Sequence, residues 1–206
     1  MNAPEPNVET KFSIPAFDIV AIAVSADGIK ALNQIFSELS ADFPIPIVVV
    51  KHLAPNYRSF LASILSYHTY LTVKQAEDGE KIHPSAIYIA PPNYHLSVKA
   101  EGILSLSQSA KVHFLRPSAD ILFQSVAESY KERAIAVVLT GGDRDGSQGV
   151  QAIKKMGGTV IAQDEATSTV FGMPAAAIKT GCVDYILPLD EIAAAITNLV
   201  IKGEMP

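Results

Sequence analysis

Asp18-Ile-Val-Ala-Ile-Ala-Val-Ser-Ala-Asp-Gly28 decides the fold. The run from Ile19 to Val24 is apolar at every position rather than at alternate ones. The strand it predicts is therefore buried on both faces, as strands are in a parallel sheet sandwiched between helices. The run breaks at Ser25 into a short turn that ends on Gly28. Beyond it Ile29, Leu32, Ile35, Phe36 and Leu39 recur at helical spacing. A buried strand, a tight turn and an amphipathic helix form the first half of a βαβ unit.

The same alternation returns along the chain. Strands are predicted at 45–51, 71–74, 86–90, 134–139, 159–162 and 183–187. Helices are predicted at about 57–66, 118–130, from the loop at 141–149 to about Met156, near 174–179 and at 189–201. One segment departs from the pattern. Tyr94–Lys99 and Ile103–Gln108 flank Glu101-Gly102 and read as a hairpin, expected as an antiparallel element at the edge of the sheet. The fold class is thus α/β, a doubly wound and mostly parallel sheet with helices on both faces and an antiparallel edge hairpin. Residues 1–16 are polar and proline-bearing and are expected to be a flexible tail, with 17–203 as one domain.

Bulk properties narrow the function. The chain has 206 residues, of which 49% are hydrophobic and 18% charged, enough for a sizeable core. The net charge of −5 leaves no electrostatic footprint for nucleic acid or an anionic membrane. A single cysteine, Cys182, excludes an internal disulfide. The N-terminus lacks the basic and apolar regions of a signal peptide, and no apolar stretch reaches the ~20 residues that span a bilayer. A cytoplasmic protein without membrane insertion is the expectation.

Three residues at the ends of predicted strands carry chemistry. Ligands of an open parallel sheet bind beyond the carboxyl ends of its strands. Ser25 lies there after the first strand, where a hydroxyl can act as a nucleophile; serine is also a favoured helix cap. His52 follows Val48-Val-Val-Lys51, where an imidazole can serve as a general base or simply meet solvent. Leu139-Thr-Gly-Gly-Asp-Arg-Asp-Gly146 follows another strand and offers Asp143 and Asp145 as orienting carboxylates, or as parts of a capped turn. The loop lacks the lysine of a phosphate-binding loop, and its spacing fails that of a calcium-binding loop. The five histidines and Cys182 form no metal-like spacing, so neither metal nor cofactor is expected.

Taken together, these segments resemble the catalytic domain of the chemotaxis receptor protein-glutamate methylesterases, the CheB family. Ile22-Ala-Val-Ser-Ala-Asp-Gly28 is similar to the family's I-G-A-S-T-G-G, Lys51-His-Leu-Ala-Pro55 to Q-H-M-P, and Leu139–Gly146 to L-T-G-M-G-x-D-G. Tyr88-Ile-Ala-Pro-Pro-Asn-Tyr-His95, His113-Phe-Leu-Arg-Pro-Ser-Ala-Asp120, Ile161-Ala-Gln-Asp-Glu-Ala166 and Val170-Phe-Gly-Met-Pro174 resemble further family motifs in order. The resemblance implies a serine hydrolase that removes methyl groups from glutamate γ-methyl esters on the cytoplasmic helices of methyl-accepting chemotaxis receptors. Deamidation of receptor glutamines is implied as a second activity. It selects Ser25 as nucleophile, His52 as base and Asp145, rather than Asp143, as the triad carboxylate. Ala26 and Gly142 become candidates for the oxyanion site, and Arg116, Arg144 and Met173 become candidate lining residues.

This chain also departs from the resemblance. Ala26-Asp27 replaces Thr-Gly after the nucleophile, and Gly142-Asp143 replaces Met-Gly in the third loop. Two acids so close predict a raised pKa for one of them. These changes motivate two alternatives, a weakly active or non-catalytic signalling interaction module and an esterase of small substrates. Family members commonly carry an N-terminal phosphorylatable receiver domain, and only about 16 residues precede the first strand, so none is expected within this chain. If the triad forms, Ser25 Oγ is expected within ~2.6–3.2 Å of one ring nitrogen of His52, or somewhat looser, with the other nitrogen facing Asp145.

Overall fold

A computed structural model of the chain describes residues 15–53, 55 and 58–204. Seven strands form one wholly parallel sheet: β1 (Ile19–Val24), β2 (Ile47–Lys51), β3 (Thr72–Gln75), β4 (Ala86–Ile89), β7 (Ala134–Val138), β8 (Thr159–Gln163) and β9 (Tyr185–Leu187). Their order is β3-β4-β2-β1-β7-β8-β9. The chain moves outward from β1 to one side, then returns to place β7 on its other side. That reversal opens a crevice at the carboxyl ends of β1, β2 and β7, where doubly wound sheets bind their ligands.

Complete burial of β1 reflects its two faces. Val20, Ile22 and Val24 enter one apolar layer with Leu32, Ile35 and Phe36 of helix α1 (Gly28–Ser37) and Ile192, Ile196 and Leu199 of helix α6 (Leu189–Lys202). Ile19, Ala21 and Ala23 enter the opposite layer with Leu122, Phe123 and Val126 of helix α3 (Ala119–Tyr130) and with Val150 and Ile153 of helix α4 (Ser147–Lys155). Small side chains on the second face let α3 lie close to the sheet. At Gly149 a Cβ would run into Phe123 Cβ, so glycine there sets how closely α3 and α4 approach.

The hairpin forms as β5 (His95–Lys99) and β6 (Ile103–Ser107), antiparallel as expected, but it does not extend the edge of the main sheet. It is a separate two-stranded sheet packed on α3. The reason lies in side-chain hydroxyls that take the place of a neighbouring strand. Val98 N–H donates to Ser125 Oγ at 3.0 Å, and Ser129 Oγ donates to Val98 C=O at 2.9 Å. Leu104 of β6 makes backbone hydrogen bonds with Gly79 and Glu80, so with Leu96, Val98 and Leu104 buried the hairpin is satisfied away from the sheet edge.

The remaining helices are α2 (Leu61–Ser66) and α5 (Gly172–Lys179). The helix expected from about residue 57 starts at Leu61, whose N–H is taken by Ser59 Oγ at 3.2 Å. Positions 56 and 57 lie outside the described residues, as do 1–14 of the expected tail. Its last two residues are tied down. Ala16 N–H donates to Val200 C=O at 2.9 Å, and Pro15 C=O accepts from Arg133 at 2.8 Å. Among the described residues, no helix is long and apolar enough to cross a membrane.

Candidate active site

Ser25 follows the last residue of β1. Its N–H donates to Thr140 C=O at 2.9 Å, which pins the turn to the end of β7. Gly141 lets other parts approach. A Cβ there would overlap Met173 Sδ and come within 3.0 Å of Ser25 Cβ. Met173 N–H donates to Gly141 C=O at 2.8 Å, so the start of α5 and the loop after β7 close together around Ser25. Met173 is buried beneath this junction, while Gly142 is exposed at its rim. The N–H groups of Ala26 and Gly142 make no hydrogen bond to another described residue. The N–H of Ala26 lies just before α1.

Asp27 points away from Ser25 chemistry. Its left-handed backbone (φ 56°) fills the place where the resembled motif has glycine, and its carboxylate accepts a hydrogen bond from Thr169 Oγ1 at 2.8 Å. The carboxylate is thus committed to the loop after β8.

His52 sits one residue beyond β2, its N–H on Val24 C=O at 3.2 Å. Its Nε2 lies 2.8 Å from Asp145 Oδ2, as expected of an orienting carboxylate. The other ring nitrogen departs from expectation. Nδ1 lies 3.1 Å from Asp143 Oδ2, and Ser25 Oγ makes no hydrogen bond to any described residue. The Nδ1–Asp143 contact is an ion-pair distance without hydrogen-bond alignment, since Nδ1 has no hydrogen-bond partner. Asp143 is carried there by its own turn, in which its Oδ1 accepts Asp145 N–H at 2.7 Å. Burial alone would lower the pKa of His52. Its two carboxylates outweigh burial and push it from the ordinary 6.5 up to about 9.

Asp145 is 1% exposed and fully engaged. Oδ2 accepts His52 Nε2 and Ala119 N–H (2.6 Å), and Oδ1 accepts Ser118 Oγ (2.7 Å) and Asp120 N–H (3.1 Å). Burial would raise this carboxyl, but the donors from His52, Ser118 and Ala119 hold it below its usual value. The expected upward shift from the Asp143–Asp145 pair is therefore absent at Asp145, because the imidazole lies between the two acids. Two of the donors are backbone groups at the N-terminus of α3, where a negative charge is favoured.

The reverse contact completes the frame. Asp120, in the first turn of α3, accepts Gln148 N–H at 3.0 Å and Gly149 N–H at 2.8 Å at the start of α4. The N-terminus of α4 is thus capped by Asp120 from the first turn of α3, and that of α3 by Asp145 from the loop just before α4. Sequence reading missed Ser118 and Asp120 as site-builders, although both lie in the quoted His113–Asp120 segment. The available signal was a serine-x-acid placed directly before an apolar helical run.

The other candidates fall apart from this cluster. Arg116 braces loops: its Nε and Nη2 donate to Asn93 Oδ1 (3.1 and 2.7 Å), and its Nη1 donates to the carbonyls of Gln108 and Ser109 (2.8 and 2.7 Å). Arg144 is exposed and lines an open groove with Ser147, Ala176, Lys179 and Thr180.

A doubly wound sheet that collects a serine, a histidine and a buried, donor-saturated carboxylate at one edge defines an α/β domain with a hydrolase-type constellation. Residues 20–196 match the family model of the CheB methylesterase, and the chain belongs to that family. A protein-glutamate methylesterase/protein-glutamine glutaminase 2 of Caulobacter vibrioides is 42% identical over 202 residues, covering 95% of this chain and 58% of that one. The corresponding Thermotoga maritima enzyme is 43% identical over 88% of this chain and 54% of its own length. The chain thus spans about half the length of these curated relatives. The crystal structure of the Thermotoga maritima CheB methylesterase catalytic domain superposes with a TM-score of 0.86 at 43% identity, covering 89% of this chain and 99% of that one.

Proposed function

We propose that this chain is a catalytic domain that hydrolyses glutamate γ-methyl esters on the cytoplasmic helices of chemotaxis receptors, and that it also deamidates receptor glutamines. The reading puts its work in the cytoplasm and needs no cofactor. The observation that carries it is His52 Nε2 held 2.8 Å from the buried Asp145, with the His52 N–H on the C=O of Val24, the residue before Ser25. Ser25 Oγ attacks the ester carbonyl and passes its proton to His52 Nδ1. Asp145 holds the Nε2–H tautomer and stabilises the imidazolium. The oxyanion forms against Ala26 N–H, with Gly142 N–H on the opposite wall. The carbon–methoxide bond then breaks, the proton on Nδ1 goes to the methoxide, and methanol leaves. Water, activated by the same imidazole, hydrolyses the acyl-enzyme and regenerates Ser25. Met173 backs the nucleophile turn.

A second reading, a non-catalytic signalling module, draws on one observation: the ring nitrogen that Ser25 requires faces Asp143 instead. Methanol release from methylated receptor separates the two. Release by the intact chain and its loss in Ser25→Ala supports the esterase. No release at any pH between 7 and 10 leaves the module.

A further inference from the structure

Asp143 stands where the resembled loop has glycine, and it is the acid for which the triad has no use. Its position is well defined. Oδ1 is held by Asp145 N–H at 2.7 Å, which aims Oδ2 at His52 Nδ1, 3.1 Å away. The imidazole thus has a carboxylate beside each nitrogen: Asp145, hydrogen-bonded on the buried side, and Asp143, at ion-pair distance on the solvent side, with side-chain exposures of 0% and 36%. Two negative charges within about 3 Å of one ring favour its charged form.

We propose that Asp143 is a positioning residue that holds the histidine nitrogen Ser25 needs, so that the site rests as an Asp143–His52–Asp145 ion triplet and gains its base only when Nδ1 is released and deprotonated. The inference rests on the esterase reading and adds a control that the triad alone lacks. Before Ser25 can be activated, the proton on Nδ1 must leave to solvent, and the half-exposed Asp143 carboxylate lies on that route. Only then can Nδ1 accept the Ser25 proton.

Few other charges face the ring. Lys51, next to it on β2, points its Nζ to the His52 carbonyl at 3.3 Å. On the β1 side the neighbours are Val24 C=O and Ser25, both neutral, and Asp27 is turned to Thr169. On the α3 side Asp120 lies behind Asp145 and is occupied with α4. The two carboxylates therefore dominate, in keeping with the rise of His52 to about 9. A drop of one unit from 9 yields about tenfold more free base at neutral pH.

The test combines a titration with a rate. The carbon-13 shift of the His52 imidazole is followed from pH 5 to 11 in the full chain, in Asp143→Gly and in Asp143→Asn. The asparagine keeps the oxygen that accepts Asp145 N–H and removes only the charge, so it serves even if the glycine variant folds poorly. The expected result is a parent midpoint near 9 that falls by one unit or more in both variants. Methanol release should follow, with kcat/KM at pH 7 at least tenfold higher in the variants and equal to the parent near pH 10. A parent midpoint near 6.5, or one that does not move when Asp143 loses its charge, overturns the proposal. The titration needs no substrate. Absence of methanol from parent and variants at every pH would instead count against the esterase reading.

Discussion

Replacing Asp145 with asparagine should separate what its charge does from what its shape does. The carboxylate accepts four hydrogen bonds, two at each oxygen. An amide has one oxygen, so it must turn its nitrogen toward one of the two pairs. Facing His52 Nε2–H and Ala119 N–H, the nitrogen would meet two donors. Facing Ser118 and Asp120, it would meet a hydroxyl that can rotate to accept and one N–H at 3.1 Å, the longest of the set. The second orientation wins. It strands a single buried donor, Asp120 N–H, at a cost of about 1–3 kcal/mol. For a domain of this size that is roughly 2–12 °C in melting temperature. The imidazole keeps its orientation but loses the buried charge, so the His52 pKa should fall. Methanol release should drop, because the imidazolium loses its counter-charge even though the tautomer is kept. Differential scanning calorimetry and a methanol assay on methylated receptor check the two limbs. A variant as stable and as active as the parent would refute the donor-saturated account of Asp145. A loss of stability far above 3 kcal/mol would refute the favoured amide orientation.

Three further expectations follow from the geometry of the site. The raised pKa of His52 contributes stability that is fully present below its unfolded value near 6.5 and is lost as pH rises through about 9. The shift corresponds to at most about 3 kcal/mol, read as a falling urea midpoint between pH 6.5 and 10. His52→Gln should flatten that fall, and an equally steep fall in the variant would exclude His52 as its source. The lowered Asp145 acts at the other end, its contribution present above the unfolded carboxyl value and lost as pH drops through the folded one. In Gly141→Ala the new methyl would collide with Met173 Sδ and crowd Ser25 Cβ. Overpacking of about 1–3 kcal/mol and slower methanol release are expected, with recovery when Met173 is also made alanine; a fully active, fully stable Gly141→Ala would show the junction to be loose.

The division between what sequence reveals and what only structure reveals follows the range of the forces. Uninterrupted apolar runs such as Ile19–Val24 declare strands buried on both faces, and the helical spacing after Gly28 declares the crossover; both are local signals. The three strand-tip residues were legible for the same reason, because topology alone brings the ends of β1, β2 and β7 together. The hairpin was recognisable but misplaced. Its location depends on Ser125 and Ser129 satisfying Val98, contacts some 30 residues distant that no periodicity encodes. Ser118 escaped for a similar reason, since its hydroxyl serves a carboxylate 27 residues away. Asp143 was visible as an extra acid, yet its partner was not. Proximity in sequence suggested a conflict with Asp145, whereas the fold inserted an imidazole between the two.

The exchange of acids between α3 and α4 has a consequence for how the domain matures. Asp145 has three of its four donors only while α3 is seated, because Ser118, Ala119 and Asp120 all lie at the start of that helix. Asp120 in turn holds the start of α4. Detaching either helix strips a buried carboxylate of several partners at once, so partial excursions are costly and the two helices open together. A half-built chain emerging from the ribosome has β1, Ser25 and His52 well before Asp145 is made. Until α3 and α4 lock, its serine has no fixed imidazole to call on. On the esterase reading, hydrolytic competence is thereby tied to completion of the fold, and a nascent or damaged copy would carry a silent serine rather than an indiscriminate one.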